Sequence, residues 1–185
     1  MKNLCTVFLF FIIIQAAAQN NISIPAFTAY AVPAEEGNEE EESNMFSEKQ
    51  GLINWTDARQ QIQFYFNCNN TGKLNLSFVL KNSTPGNKLT VSVAGKFFEI
   101  AVPATTAFKK IPIGTVDIKT PGFYAVTING EIKTGKTIAA IKSLELNEPA
   151  AKNMQFNAKE RRNAASVHLM YPLADTFKSV LFYNE

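Results

Sequence analysis

Between residues 61 and 146 this chain alternates apolar and polar side chains, and no stretch of that region carries a helical repeat. Ile62, Phe64, Phe66 and Cys68 alternate with Gln61, Gln63 and Tyr65; Leu74, Leu76, Phe78 and Leu80 alternate with Lys73, Asn75, Ser77 and Val79. Successive side chains of an extended backbone point to opposite faces, so each run predicts a strand with one buried face. Residues 69–72 read Asn-Asn-Thr-Gly, which predicts a turn joining the two runs as a hairpin.

The same period continues downstream. Leu89, Val91 and Val93 form a core face, Ala94-Gly95 makes a two-residue connection, and Phe98, Ile100 and Val102 return. Ile111 and Ile113 lead to Gly114, where the phase slips to Val116 and Ile118, the mark of a bulge or of a bend between sheets. Thr120-Pro121-Gly122 turns the chain into Tyr124, Val126 and Ile128, and a strand over 137–146 carries Ile141, Leu144 and Leu146. With a further strand over 26–32, about eight short strands with frequent turn signals predict an all-β fold, an antiparallel β-sandwich of jelly-roll type. Leu74, Leu76, Phe78, Val91, Ile100, Tyr124 and Val126 are expected in its core.

Residues 1–18 have the form of an export signal: Lys2, an apolar run over 4–14, then Ala16-Ala17-Ala18. The run is too short to span a bilayer, which takes about 20 residues. Cys5 precedes it, whereas a lipid-anchoring cysteine would follow. The expectation is a secreted or periplasmic protein with a cleaved signal, not a lipoprotein and not a membrane protein. Cleavage removes Lys2 from the 18 basic residues and none of the 16 acidic ones, so the remainder is nearly neutral and gives no electrostatic case for nucleic acid. Only Cys68 of the two cysteines then remains, in phase with Phe64 and Phe66, and reads as a buried apolar residue without a disulfide partner. The expected organisation is a signal over 1–18, a sandwich over 19–147 with an acidic loop over 34–50, a linker over 148–164, and the incomplete start of a second domain over 165–185. The acidic loop has no alternating ligand pattern and predicts a solvated segment rather than a calcium site.

No catalytic pattern stands out. The only histidine, His168, lies in an alternating run beside Val167 and Leu169 and reads as a structural residue, because a catalytic base needs an orienting partner and a nucleophile in reach. One histidine and one cysteine make no zinc motif, and no glycine-rich phosphate loop occurs. A glycosidase needs two facing carboxylates; of the acidic loop, Asp57, Glu99, Asp117, Glu131 and Glu145, most fall in turns or on outward positions. No enzyme, metal or cofactor is expected. The sole tryptophan, Trp55, sits in the loop before the strand at 61–68, flanked by Asn54 and Asp57. Two readings stand. An exposed indole could stack on a pyranose while Asn54 and Asp57 take its hydroxyls and Tyr30 supplies a second ring. Alternatively Trp55 closes the end of the core, as highly buried tryptophans do.

The succession of Asn54-Trp55, a strand, Thr71-Gly72-Lys73-Leu74 and Val91-Ser92-Val93-Ala94-Gly95-Lys96 resembles galactose-binding-like sandwiches, among them carbohydrate-binding modules of families six and thirty-five. Residues 29–147 more closely resemble the secreted bacterial family called domain of unknown function 5077. Residues 165–172, Ala-Ser-Val-His-Leu-Met-Tyr-Pro, and 182–185 look like the opening of domain of unknown function 3472. The resemblance implies a glycan-binding sandwich serving a C-terminal domain. Thr28, Ala29 and Tyr30 stand where those modules' first strand offers calcium a glutamate, so no metal site is carried over. The expected function is therefore an exported, non-catalytic carbohydrate-binding module whose partners are a polysaccharide and the domain that follows. The alternative is a protein-contacting module that positions that domain, and a glycan hydrolase comes third.

Overall fold

Inside the sandwich the two alternating runs at 61–68 and 72–82 lie across from each other without sharing a single ladder hydrogen bond. A computed structural model describes residues 21–33, 44–132 and 134–156. Its strands are β1 (Ile22–Pro25), β2 (Tyr30–Val32), β3 (Phe46–Ser47), β4 (Gly51–Leu52), β5 (Gln61–Cys68) and β6 (Gly72–Asn82). They continue with β7 (Lys88–Val93), β8 (Lys96–Ala101), β9 (Thr105–Ile118), β10 (Gly122–Glu131), β11 (Ala140–Asn147) and β12 (Gln155–Phe156). One antiparallel sheet has the order β3-β4-β11-β6-β9, with β1 also on β11. The other has the order β12-β5-β10-β7-β8, with β2 also on β5. The expected all-β antiparallel sandwich is therefore the fold.

The expected hairpin at 69–72 is corrected. β5 pairs with β10 and β6 with β11 and β9, so these residues are an arch between sheets. Both strands aim their apolar faces at the interior, and Phe64 meets Phe78 there with ring centroids 6.3 Å apart. Periodicity places a side chain on a face; it carries no information about which strand supplies the neighbouring hydrogen bonds. The expected strand at 26–32 is likewise divided. β1 pairs with β11 and β2 with β5, so the chain changes sheet through a 3-10 turn, Ala26–Thr28. Thr28 Oγ1 donates to the carbonyl of Pro25 at 2.8 Å and tightens that crossing.

Other expectations hold. Ala94 and Gly95 take φ 48° and 74°, the left-handed pair that lets β7 and β8 keep their natural twist in a two-residue hairpin. At Gly114 the β6–β9 register shifts, Leu76 facing Gly114 and Ser77 facing Pro112, so the phase slip is a bulge. Cys68 is fully buried. Of the expected core, Tyr124 alone is only half-buried: its ring stacks on Phe66 at 6.1 Å while its hydroxyl donates to the Thr120 carbonyl at 2.6 Å, toward the surface.

The boundary expected at residue 147 moves outward. Pro149–Ala151 forms a 3-10 turn with Ala150 and Ala151 fully buried, and β12 then pairs with β5. Small alanines fit where a linker would expose them, which sequence composition alone does not reveal. In the acidic region, 44–52 folds into the short hairpin β3–β4 rather than a loop. The glutamate-rich stretch 34–43, His168, the expected signal over 1–18 and residues 165–185 lie outside the described residues.

Candidate functional site

Registers place the start of β5, β7, β9 and β11 and the end of β6, β8 and β10 at one end of the sandwich. The longer connections gather there, and Trp55 lies beneath them. Of the two readings of Trp55, the exposed indole is corrected and the buried one holds: Trp55 is 0% exposed. Its Nε1 donates to the carbonyls of Asp57 (3.1 Å) and Gln60 (3.2 Å), and its own carbonyl accepts from the amide of Ile138 at 2.8 Å. The loop thus folds back over its own tryptophan and satisfies the one polar atom that would otherwise resist burial. Gly130 makes room, since a Cβ there would stand 3.0 Å from Trp55 Cη2 and 2.5 Å from Ile138 Cγ2.

The flanking residues are occupied as well. Asn54 is exposed and donates to the Asn44 carbonyl at 2.6 Å. Asp57 accepts from the Arg59 backbone amide at 2.8 Å and forms an ion pair with its guanidinium at 2.8 Å. These hydrogen bonds hold the Asp57 carboxyl below its ordinary value. Asn87, 1% exposed, ties the neighbouring loops: its Nδ2 donates to the carbonyls of Thr137 (2.8 Å) and Ile138 (3.0 Å), and its Oδ1 accepts from the Thr134 amide at 3.2 Å. Beside this network an open pocket of about 290 Å³ is lined by Lys81, Asn82, Ser83, Thr105, Thr106 and Thr137. It offers hydroxyls and no ring; Lys81 Nζ instead sits 4.7 Å over the Phe108 ring.

Tyr30 belongs to a different surface, the outer face of the sheet built on β5. Because Ile62, Phe64, Val126, Ile128, Val91 and Val93 are buried, their chain neighbours must face outward. In register these form a row across five strands: Tyr30 opposite Gln63, Gln63 opposite Thr127, Thr127 opposite Ser92, and Ser92 opposite Phe97. Phe97 is 76% exposed. Tyr30 meets Tyr65 edge to face at 5.8 Å, and the Tyr65 hydroxyl donates to Gln63 Oε1. Burial, and secondarily the adjacent Tyr30, raises the Tyr65 phenol above its ordinary value, so it is a hydrogen-bond donor at neutral pH. Of the four residues expected to form one site, Asn54, Trp55 and Asp57 share the loop end, and Tyr30 stands apart from them on the sheet face. The residues sequence reasoning missed, Thr127, Ser92 and Phe97, were visible as outward positions; their alignment was not, because it needed the strand order.

Among the described residues no three of His, Cys, Asp and Glu gather closely enough to hold a metal ion, and no helix is long and apolar enough to cross a membrane. Two six-stranded antiparallel sheets stacked in this order define the fold class, a β-sandwich. The chain is similar to the CBM35 of Abf62 from Cellvibrio japonicus, with TM-score 0.50 and 11% identity over 75% of this chain and 98% of that one. It is similar to the same degree (TM-score 0.50, 14% identity) to the GH26-CBM35 β-(1,4)-mannanase of Podospora anserina, covering 80% of this chain but only 30% of that enzyme's length. At such identities the likeness is one of fold. The chain belongs to the family named Domain of unknown function (DUF5077), whose profile matches residues 24–151. No curated protein matches it.

Proposed function

We propose that this chain is an exported, non-catalytic carbohydrate-binding module that serves a domain following it, with its platform on the outer face of the β5 sheet. The observation that carries the reading is the row in which two aromatic rings flank an amide and two hydroxyls on a rigid five-stranded floor. Pyranose rings present C–H faces to aromatic side chains and hydroxyls to groups that both donate and accept. A carbohydrate-binding module's sandwich underlies the same reading, as does the leader at 1–18. In this reading Tyr30 supplies one of the two rings, on the sheet face rather than beside Trp55, and Trp55 supports the loops. Shallow contacts of this kind give affinities on the order of micromolar to millimolar.

Electrophoresis of the mature chain through gels containing soluble β-glucan, mannan or xylan tests the proposal. Retardation in at least one gel, without release of reducing ends, is the expected result. Release of reducing ends would overturn the non-catalytic reading. A second reading, that the module positions its neighbour, draws on Phe123, 39% exposed and opposite Asn67, which also faces Gln155 of β12. Unchanged mobility in every gel, together with loss of stability on Phe123→Ser only when the following domain is attached, would favour it.

A further inference from the structure

Resting on the glycan-binding reading above, we infer that the ligand is an extended, unbranched, uncharged glycan lying across the strands, about one sugar per strand, between Tyr30 and Phe97. Five neighbouring strands contribute one residue each to the row, and strands lie about 4.8 Å apart, so its ends are separated by roughly 19 Å. A pyranose in an extended chain advances by about the same roughly 5 Å as one strand spacing. The row therefore matches several linked sugars and is far too long for a single one. A sheet face is open at both sides, so it receives the middle of a chain, whereas a pocket would receive a terminus.

The chemistry of the row narrows the class. Gln63, Thr127 and Ser92 carry no charge, and each can donate and accept hydrogen bonds, as sugar hydroxyls require. Tyr65 occupies Gln63 Oε1, which leaves the amide nitrogen to donate and fixes its orientation before a ligand arrives. The charged groups of this face lie displaced toward the loop end: Glu131 faces Lys88, and Glu99 faces Thr90. The nearest cation along β8, Lys96, donates instead to the Thr115 carbonyl at 3.3 Å, on the side of the other sheet. A polyuronate would find no cation along the row, so charge complementarity favours a neutral chain. Singly exposed apolar residues are ordinary on protein surfaces. What distinguishes Phe97 is its register with Tyr30 at the far end of an uncharged floor.

The test uses the full mature chain with linear β-1,4-linked oligomers of glucose, mannose and xylose of increasing length, followed by calorimetry. In one of these series affinity should rise with length and level off at about four to five sugars, the number of strands crossed. Raising the salt tenfold should leave it unchanged, because no ion pair is involved. Phe97→Ala, and Thr127→Val as an isosteric loss of one hydroxyl, should each weaken binding at least several-fold with unchanged melting temperature; Thr106→Ala in the loop-end pocket should have no effect. Binding that survives both face substitutions overturns this inference and the sheet-face platform with it, leaving only glycan binding elsewhere on the chain; saturation with a monosaccharide, or a preference for polygalacturonate that fades with salt, overturns this inference alone. Absence of binding to every oligomer and polysaccharide by the wild-type chain overturns both.

Discussion

At Trp55 the chain places its largest side chain where the long connections meet, and the indole N–H is shared between two carbonyls of the same loop. A fully buried ring of this size contributes through packing, so Trp55→Ala should destabilise the fold by about 3–5 kcal/mol. Chemical denaturation measures this, and a variant that stays as stable as wild type would mean the ring is not part of the core. Cys68 makes a second residue-level prediction. Burial pushes its thiol up to about 11, whereas an unfolded thiol titrates near roughly 8.5. The unfolded chain therefore releases this proton first as pH rises, so stability falls with pH. The contribution is complete below about pH 8.5 and is lost on the way to pH 11, amounting to on the order of 3 kcal/mol. Cys68→Ala should remove that alkaline limb, read as a stability difference from wild type that shifts in the variant's favour between those pH values. A constant difference would exclude the thiol as its origin.

Among elements, the β5–β6 arch and the loops tied by Asn87 govern the architecture. Asn87 immediately precedes β7, and its amide spans to the segment that enters β11, so one side chain couples the two sheets at their loop end. Its backbone joins in, accepting from the Val102 amide at 2.9 Å. Removing the amide leaves the buried Ile138 carbonyl and the part-buried Thr137 carbonyl and Thr134 N–H without this partner, at about 1–3 kcal/mol for a fully buried group. Asn87→Ala should thus cost roughly 2–4 kcal/mol and strip exchange protection from the Thr134 amide while β6 and β9 keep theirs. Hydrogen exchange decides the matter; uniform loss across all strands would show global destabilisation instead. The two faces of β5 also divide its labour: Phe64 and Phe66 go to the core, and Gln63 and Tyr65 to the outer face of the sheet.

For the molecule as a whole, the packed unit reaches past the expected boundary to β12. Ala150 and Ala151 are fully buried and Met154 is 7% exposed, so a chain shortened to end at residue 147 loses apolar contacts and one strand pairing. That form should melt several degrees below one ending at residue 156, since about 1–2 kcal/mol moves the midpoint of a domain this size by that amount. Equal melting temperatures would restore the earlier boundary. Much of the fold was legible because burial on one face imposes alternation directly on the sequence: Leu74, Leu76, Phe78, Val91 and Val126 all lie in the core. The bulge at Gly114 and the turn at Ala94-Gly95 were legible too, because each needs a local phase slip or a positive φ that the chain itself records.

Which strands become neighbours is a different kind of information. Gln63 and Thr127 are 64 positions apart in the chain and adjacent in the sheet, and nothing near either residue specifies the other. By itself the sequence determined a sandwich of half-buried strands, a buried Cys68 and two open readings of Trp55. Only the tertiary structure decided that β5 and β6 face each other across the core, that Trp55 points inward, and that Tyr30 and Phe97 end one row. The physical reason is that alternation follows from local backbone geometry and burial, whereas pairing is chosen by the whole core at once, where the sheets must share one apolar interior.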